Sequence, residues 1–216
     1  IMTGLGMQRS NSSRPASGAD HQFSHLWDMQ HHTHRGVAPM HGCKVAIGTL
    51  ASAAAYERVL AADVKDLATD EALVGTRWPE WELIERAIHV DFPDPLLAEQ
   101  VVRQSQSKYL PAAEVVFRLR RLKENWPSLC SRLREQLLPA AELRNMLARV
   151  GAPHSPEEIG ISRDRLRESY RQAQWIRSRY TILDLVLESG WWTQCIDSLF
   201  EPGGFWRSDT DVLTTA

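Results

Sequence analysis

The sequence predicts an all-α bundle of about eight helices. Three observations carry that expectation. Strand signals are poor, with no alternating β-branched run and no Asn-Gly hairpin turn. Apolar residues recur at helical spacing, as in Leu83, Ile84, Ala87 and Ile88, and again in Leu166, Tyr170, Ala173 and Ile176. Prolines recur where a first helical turn tolerates them, and glycines where a helix would stop.

Taken in order, residues 1–9 read as the tail of a helix (Ile1, Leu5, Gln8) whose beginning is absent, as though cut from something longer. Residues 10–18 (SNSSRPASG) have loop composition. Asp20 is placed to cap a helix carrying His21, Phe23, His25, Leu26 and Trp27. His31, His32 and His34 then read as its frayed, solvated end. Residues 43–62 form a helix dense in Gly, Ala and Ser, and small residues let a neighbouring backbone come close, so it is expected at the centre. Pro79 opens a helix that Phe92-Pro93 ends, and Pro95 opens another running to about Tyr109. Pro111, Pro127 and Pro139 each precede an amphipathic run and are read as first-turn prolines. Gly151 reads as a C-cap, Ser155 with Glu158 as a capping box, Ser162 as the start of a long helix, and Gly190 as the stop of TILDLVLES. Gly203-Gly204 is a turn.

Composition excludes several classes. With 216 residues, 43% of them hydrophobic, the chain can bury a real core. A formal net charge of -2 gives no sign of nucleic-acid binding. Cys43, Cys130 and Cys195 are odd in number and far apart, which fits reduced thiols in a cytoplasmic protein. No apolar run approaches the roughly 20 residues of a membrane span, and the start has no signal-peptide core. Six arginines between Arg163 and Arg179 read as a solvated face, and the tryptophans as core and interface anchors. There is no glycine-rich nucleotide fingerprint, no GxSxG elbow and no defensible Cys/His nucleophile, so no catalytic residue is assigned.

The histidines carry the functional signal. Six of the eight fall between His21 and His41. His21 and His25, four apart, share one helix face. His41 follows a break containing Gly36 and Pro39 and is placed to fold back over that face. Imidazoles from a helix and a second point on the chain commonly hold a divalent transition metal. A solvated cluster and a pH sensor are the alternatives.

Three segments, SSRPASG (12–18), DHQFSHLWDM (20–29) and HGCKVAIGTL (41–50), together resemble the sn-glycerol-1-phosphate dehydrogenase family. That family belongs to the iron-containing alcohol dehydrogenase and glycerol dehydrogenase superfamily. Residues 151–185 and LFEPGGFW (199–206) resemble its bacterial branch. The resemblance implies the C-terminal helical domain of a dehydroquinate synthase-like, iron-alcohol-dehydrogenase-like fold. Residues 1–216 would then form a metal- and substrate-binding domain, with 1–19 the end of a helix plus a substrate loop. The NAD(P)-binding domain would lie upstream of the first residue.

It further implies a divalent metal, zinc or nickel, held by an aspartate and two histidines. His21 and His41 match the metal histidines, and His25 matches the one used near substrate. The reaction implied is reduction of dihydroxyacetone phosphate to sn-glycerol 1-phosphate, by a cytoplasmic homo-oligomer of phospholipid biosynthesis. Ser13 and Arg14 are placed to meet the substrate phosphate. The family's aspartate ligand lies upstream of this chain, which alone is therefore expected to be inactive. Cys43 replaces a usual aromatic at a packing position. Asp28 lies on the His21/His25 face as a local substitute carboxylate, whereas Asp20 is expected to point elsewhere. The alternative is a stand-alone helical metal- or partner-binding protein without redox activity.

Overall fold

In the computed structural model, Arg9 and residues 17–207 are described. Ser13 and Arg14 lie outside the described residues, as does the helix tail expected at residues 1–8. Ten α-helices and three short 3-10 turns occupy the described part, with no strand among them. Eight of the helices have eight residues or more, as expected. No helix among the described residues is long and apolar enough to cross a membrane.

The centre is built on small side chains. Helix α1 (Ala19–Met29) lies against α2 (His41–Ala61), whose buried face is Ile47, Gly48, Leu50, Ala51, Ala54 and Ala55. A Cβ on Gly48 would run into the Asp20 carbonyl oxygen of α1. Two backbones approach this closely only where one helix presents glycine. Helix α8 (Arg163–Trp175) closes the other side of α1. Phe23 meets Tyr170 edge-on with centroids 4.9 Å apart, the Trp27 indole N–H donates to Ser169 Oγ (2.9 Å), and Tyr170 OH donates to Ala51 O (3.0 Å). Phe23, Leu26 and Trp27 are thus wholly buried, and burial of each large side chain contributes about 1.5–3 kcal/mol.

The remaining helices wrap this trio. They are α3 (Glu71–Arg77), α4 (Trp81–Asp91), α5 (Pro95–Gln106), α6 (Ala112–Gln136), α7 (Ala140–Arg149), α9 (Ile182–Ser189) and α10 (Trp192–Cys195). Their ends carry the expected chemistry. Asp94 caps α5 ahead of Pro95, Gly151 and Gly190 adopt left-handed φ of 68° and 72°, and Ser155/Glu158 form a capping box. Glu57 Oε1 accepts the first free N–H of α7 from Ala140 (2.7 Å). All three cysteines are free, with Cys130 and Cys195 buried and Cys43 packed against the core.

Several expectations are corrected. Pro127 does not open a helix but sits inside the 25-residue α6. Its missing N–H forfeits one main-chain bond, yet Trp126 and Cys130 on either side are 6% exposed, and their burial keeps the helix continuous. Asp20 is not the cap of α1; Gly18 holds that position and Asp20 lies in the first turn. Helix α3 has only seven residues and one buried side chain, Val74, too little periodicity to read, although Asp70 caps it by accepting from Ala72 and Leu73 N–H. Leu83 is 53% exposed, so the inner face of α4 rests on Ile88.

The arginine run is not a free solvated face either. Arg163 pairs with Glu157, Arg167 with Asp197 and Arg171 with Asp91, while Arg165 reaches His32 and Gln30. These side chains tie α8 to its neighbours.

A buried polar network fills the layer between α5, α8 and α9. Lys108 Nζ lies 2.7 Å from Asp184, which also accepts from Gln174 Nε2 (2.7 Å) and from Thr181 N (2.6 Å). Thr181 Oγ1 donates to Gln22 Oε1 of α1 (3.0 Å). Beside it, Glu188 meets Arg118 at 2.5 Å and accepts from Tyr180 OH (2.9 Å). Burial pushes the Glu188 carboxyl from 4.5 up to about 7, opposed by Arg118 and Tyr180 and reinforced by Asp184.

A carboxyl raised in the folded state contributes stability that is full below its unfolded pKa and is lost as pH rises through its folded one. The Glu188→Gln variant lacks that loss. Urea unfolding from pH 5 to 8 should therefore show the variant gaining on the parent by on the order of 1–3 kcal/mol. A difference constant across that range would contradict the burial assignment.

Candidate metal and substrate site

Helical spacing places His21 and His25 one turn apart on α1, both half-buried. The turn that returns the chain to His41 is built by residues 30–40. His31 and Arg35 take left-handed φ of 49° and 53°, Gly36 follows at 80°, and His34 and Val37 exchange main-chain bonds of 2.8 and 3.1 Å. His32, expected to be solvated, is 8% exposed and pins this turn instead. Its Nε2–H donates to Ile159 O (2.7 Å), and Arg165 Nη1 donates to its Nδ1 (2.8 Å). Burial accordingly lowers the His32 pKa. His34 packs on Gly160, whose left-handed φ of 75° and missing Cβ admit the ring.

The result is a cluster of three imidazoles. His41 opens α2 directly over the α1 face, its ring centre 5.5 Å from that of His21 and 5.9 Å from that of His25; His21 and His25 are 6.3 Å apart. Two imidazoles on one tetrahedral zinc, with Zn–N of about 2.0–2.1 Å, have ring centres about 5 Å apart. The His21/His41 pair is nearest to that spacing.

Each of these two rings also has its Nδ1 engaged. His21 Nδ1 lies 2.8 Å from Asp20 Oδ2, a carboxylate that only accepts, so the proton sits on Nδ1 and Nε2 is free. His41 Nδ1 lies 3.0 Å from the hydroxyl of Ser24, itself wholly buried. Outer partners of this kind fix the tautomer and orientation of metal-binding histidines. Among the described residues His25 has no such tether. Its pKa is lowered, first by burial and then by Arg177, His41 and His21, with Asp28 acting the other way.

Of the two carboxylates nearby, Asp20 departs from expectation. Asp20 does not point away from the cluster but orients His21. Asp28 is drawn onto the buried Lys44 ammonium, an ion pair that occupies it. Among the described residues no group of three or more His, Cys, Asp or Glu donors is arranged to hold a metal ion. Sequence reasoning missed Ser24 and Asp20 as partners, although Ser24 lies three residues after His21 on the same face.

Comparison with known proteins bears on what such a cluster serves. The chain is 27% identical over 189 residues, 87% of its length, to a glycerol-1-phosphate dehydrogenase (NAD(P)+) of Geobacillus stearothermophilus. Proteins of the same name from Bacillus licheniformis and Geobacillus thermodenitrificans match 88% and 85% of the chain at 20% and 26% identity. Over most of its length the chain is similar to glycerol-1-phosphate dehydrogenases. It spans about a third of the length of these curated relatives, between 33% and 37%. A shorter stretch of 57 residues is 44% identical to the Halalkalibacterium halodurans enzyme. No family model matches the chain, and no solved structure matches it.

Because Gly48 lets α1 seat against α2 at Asp20, Gly48→Ala should lower stability by about 1–3 kcal/mol. Gly42→Ala, in the same helix with open space around it, should be neutral or slightly stabilising. Urea unfolding midpoints compare the two. Equal midpoints would mean that the close approach is not what holds α1 in place.

Proposed function

We propose that this chain is the helical, metal- and substrate-binding part of an NAD(P)-dependent sn-glycerol-1-phosphate dehydrogenase, the dinucleotide-binding domain preceding it. The observation that carries this reading is the convergence of His21, His25 and His41, with the Nδ1 atoms of His21 and His41 engaged and the Nε2 of His21 freed. The similarity to the dehydrogenases supports it independently.

In this reading His21 and His41 hold a divalent zinc or nickel ion through Nε2, and the remaining carboxylate ligand comes from residues preceding this chain. When bound, the metal supplies Lewis-acid stabilisation of the oxyanion that forms as hydride reaches the ketone carbon of dihydroxyacetone phosphate. Asp20, accepting the Nδ1 proton of His21, leaves the Nε2 lone pair of that ring for the metal. Ser24, at 3.0 Å from His41 Nδ1, orients that ring. His25, one turn along, is left to hydrogen-bond the substrate, and Ser13 and Arg14 take its phosphate. A nicotinamide held by the other domain would supply the hydride.

Zinc binding followed by calorimetry tests the roles. His21→Ala and His41→Ala should abolish binding. Ser24→Ala should weaken it by about 10–100-fold, the usual cost of losing an outer partner. His25→Ala should leave it unchanged. An empty His25→Ala variant beside a metal-binding His21→Ala would refute the assignment. With one charged ligand outside the chain, zinc should be lost on dialysis while helical circular dichroism persists, because the core at Phe23, Leu26, Trp27 and Tyr170 contains no metal donor. Stoichiometric metal surviving dialysis would point to a complete local site and a stand-alone binding role. The chain alone should not consume NAD(P)H with dihydroxyacetone phosphate; steady turnover would overturn the two-domain reading.

A further inference from the structure

A second site lies away from the histidines, in a cavity of about 180 Å³ where the end of α3 and the helices α4, α5, α8 and α9 meet. None of the three clustered histidines lines it. Its walls are largely flat and apolar: Trp78, Tyr109 and Trp175, with Ile84 and Leu187. Trp78 stacks on Tyr109 with an interplanar angle of 15° and centroids 6.0 Å apart. Both rings are fixed from outside, Trp78 Nε1–H donating to Leu110 O (2.8 Å) and Tyr109 OH to Pro79 O (3.1 Å). The aromatic wall is therefore rigid without a ligand, which lowers the ordering cost of binding one.

The polar groups of the cavity leave a definite remainder. Lys108 is neutralised by Asp184, Glu188 is met by Arg118, and Arg171 is paired with Asp91. Arg77 is the lining cation with no carboxylate partner among the described residues. Its Nη2 donates only to the main-chain oxygen of Glu188 (3.0 Å), while its Nε and Cδ press on Gly190. Burial lowers the Arg77 pKa, as for a cation partly stripped of water. Ser105, only 4% exposed as a residue, lines the same space and offers it a hydroxyl.

One guanidinium without a carboxylate partner, one hydroxyl and three aromatic walls define a ligand. We propose that this cavity binds a small aromatic carboxylate, its ring against Trp78, Tyr109 and Trp175 and its carboxylate on Arg77 and the Ser105 hydroxyl. The size agrees: an apolar cavity of about 150 Å³ takes benzene, and the additional volume and polar end accommodate a carboxylate. The site goes beyond the proposed dehydrogenase chemistry and does not depend on it.

The test titrates the intact chain with benzoate, and separately with benzyl alcohol, its neutral near-isostere. Indole N–H resonances of Trp78 and Trp175 and calorimetry report binding. Benzoate should shift both indoles saturably and bind at least about tenfold tighter than benzyl alcohol, the expected gain from a charge-assisted contact. Arg77→Gln, a change at an exposed residue that should fold, should bring benzoate down to the benzyl alcohol level. Ser105→Leu should fill the cavity and block both probes, with circular dichroism checking that it folds. No saturable shift at about 10 mM, an affinity too weak to be a built site, would overturn the proposal. So would equal binding of the two probes with no effect of Arg77→Gln, which would mark an apolar void.

Discussion

The close seating of α1 on α2 is the constraint on which the rest depends. A helix pair can bring two main chains this near only where one residue lacks a Cβ, and Gly48 supplies that point opposite the Asp20 carbonyl. The approach fixes three things at once. It sets the height of α1 relative to the start of α2, and so the position of His41 over His21 and His25. It brings Ser24, otherwise an unremarkable helix residue, within reach of His41 Nδ1. It also aligns Phe23 and Trp27 with Tyr170 and Ser169 on α8, so the same packing that buries the apolar face of α1 orients its polar face.

The second organising feature is a polar interior in which most charges are paired. Lys108 and Asp184 are buried between helices, and the buried Glu188 is met by Arg118 and Tyr180 at the edge of that layer. Such pairs add little net stability over apolar replacements, but breaking one is costly, because the surviving charge is left buried. Asp184 spends its oxygens on Lys108, Gln174 and Thr181, and Thr181 passes the chain of bonds to Gln22, next to His21. The network thus ties the α5–α8–α9 layer to α1, the helix that carries His21 and His25.

Much of this was legible in the sequence, for physical reasons that can be named. The all-helical class followed from apolar spacing and proline and glycine punctuation, and α2 was recognisable as central from its small residues. The His21/His25 pair was visible because four residues make one helical turn. What escaped was whatever depended on long-range partners. His32 looks like a solvated ring until Ile159, far along the chain, offers its carbonyl and Arg165 its guanidinium. Asp20 looks like a cap because capping residues share its chemistry, whereas the first turn of α1 turns it onto His21. Pro127 reads as a helix start because local propensity says so, and only the burial of Trp126 and Cys130 overrides it. The arginines of α8 read as solvated because their carboxylate partners, Glu157, Asp197 and Asp91, sit on other elements.

The central claim is that the fold presents His21 with its Nε2 lone pair free, and holds His32 in the opposite tautomer as a structural strut. Long-range nitrogen–proton correlation NMR on the metal-free chain reads the tautomer of each ring directly. The account predicts His21 protonated at Nδ1, against Asp20, and His32 protonated at Nε2, against Ile159 O. Finding His21 protonated at Nε2 would contradict it, because its Nδ1 lone pair would then face the Asp20 carboxylate.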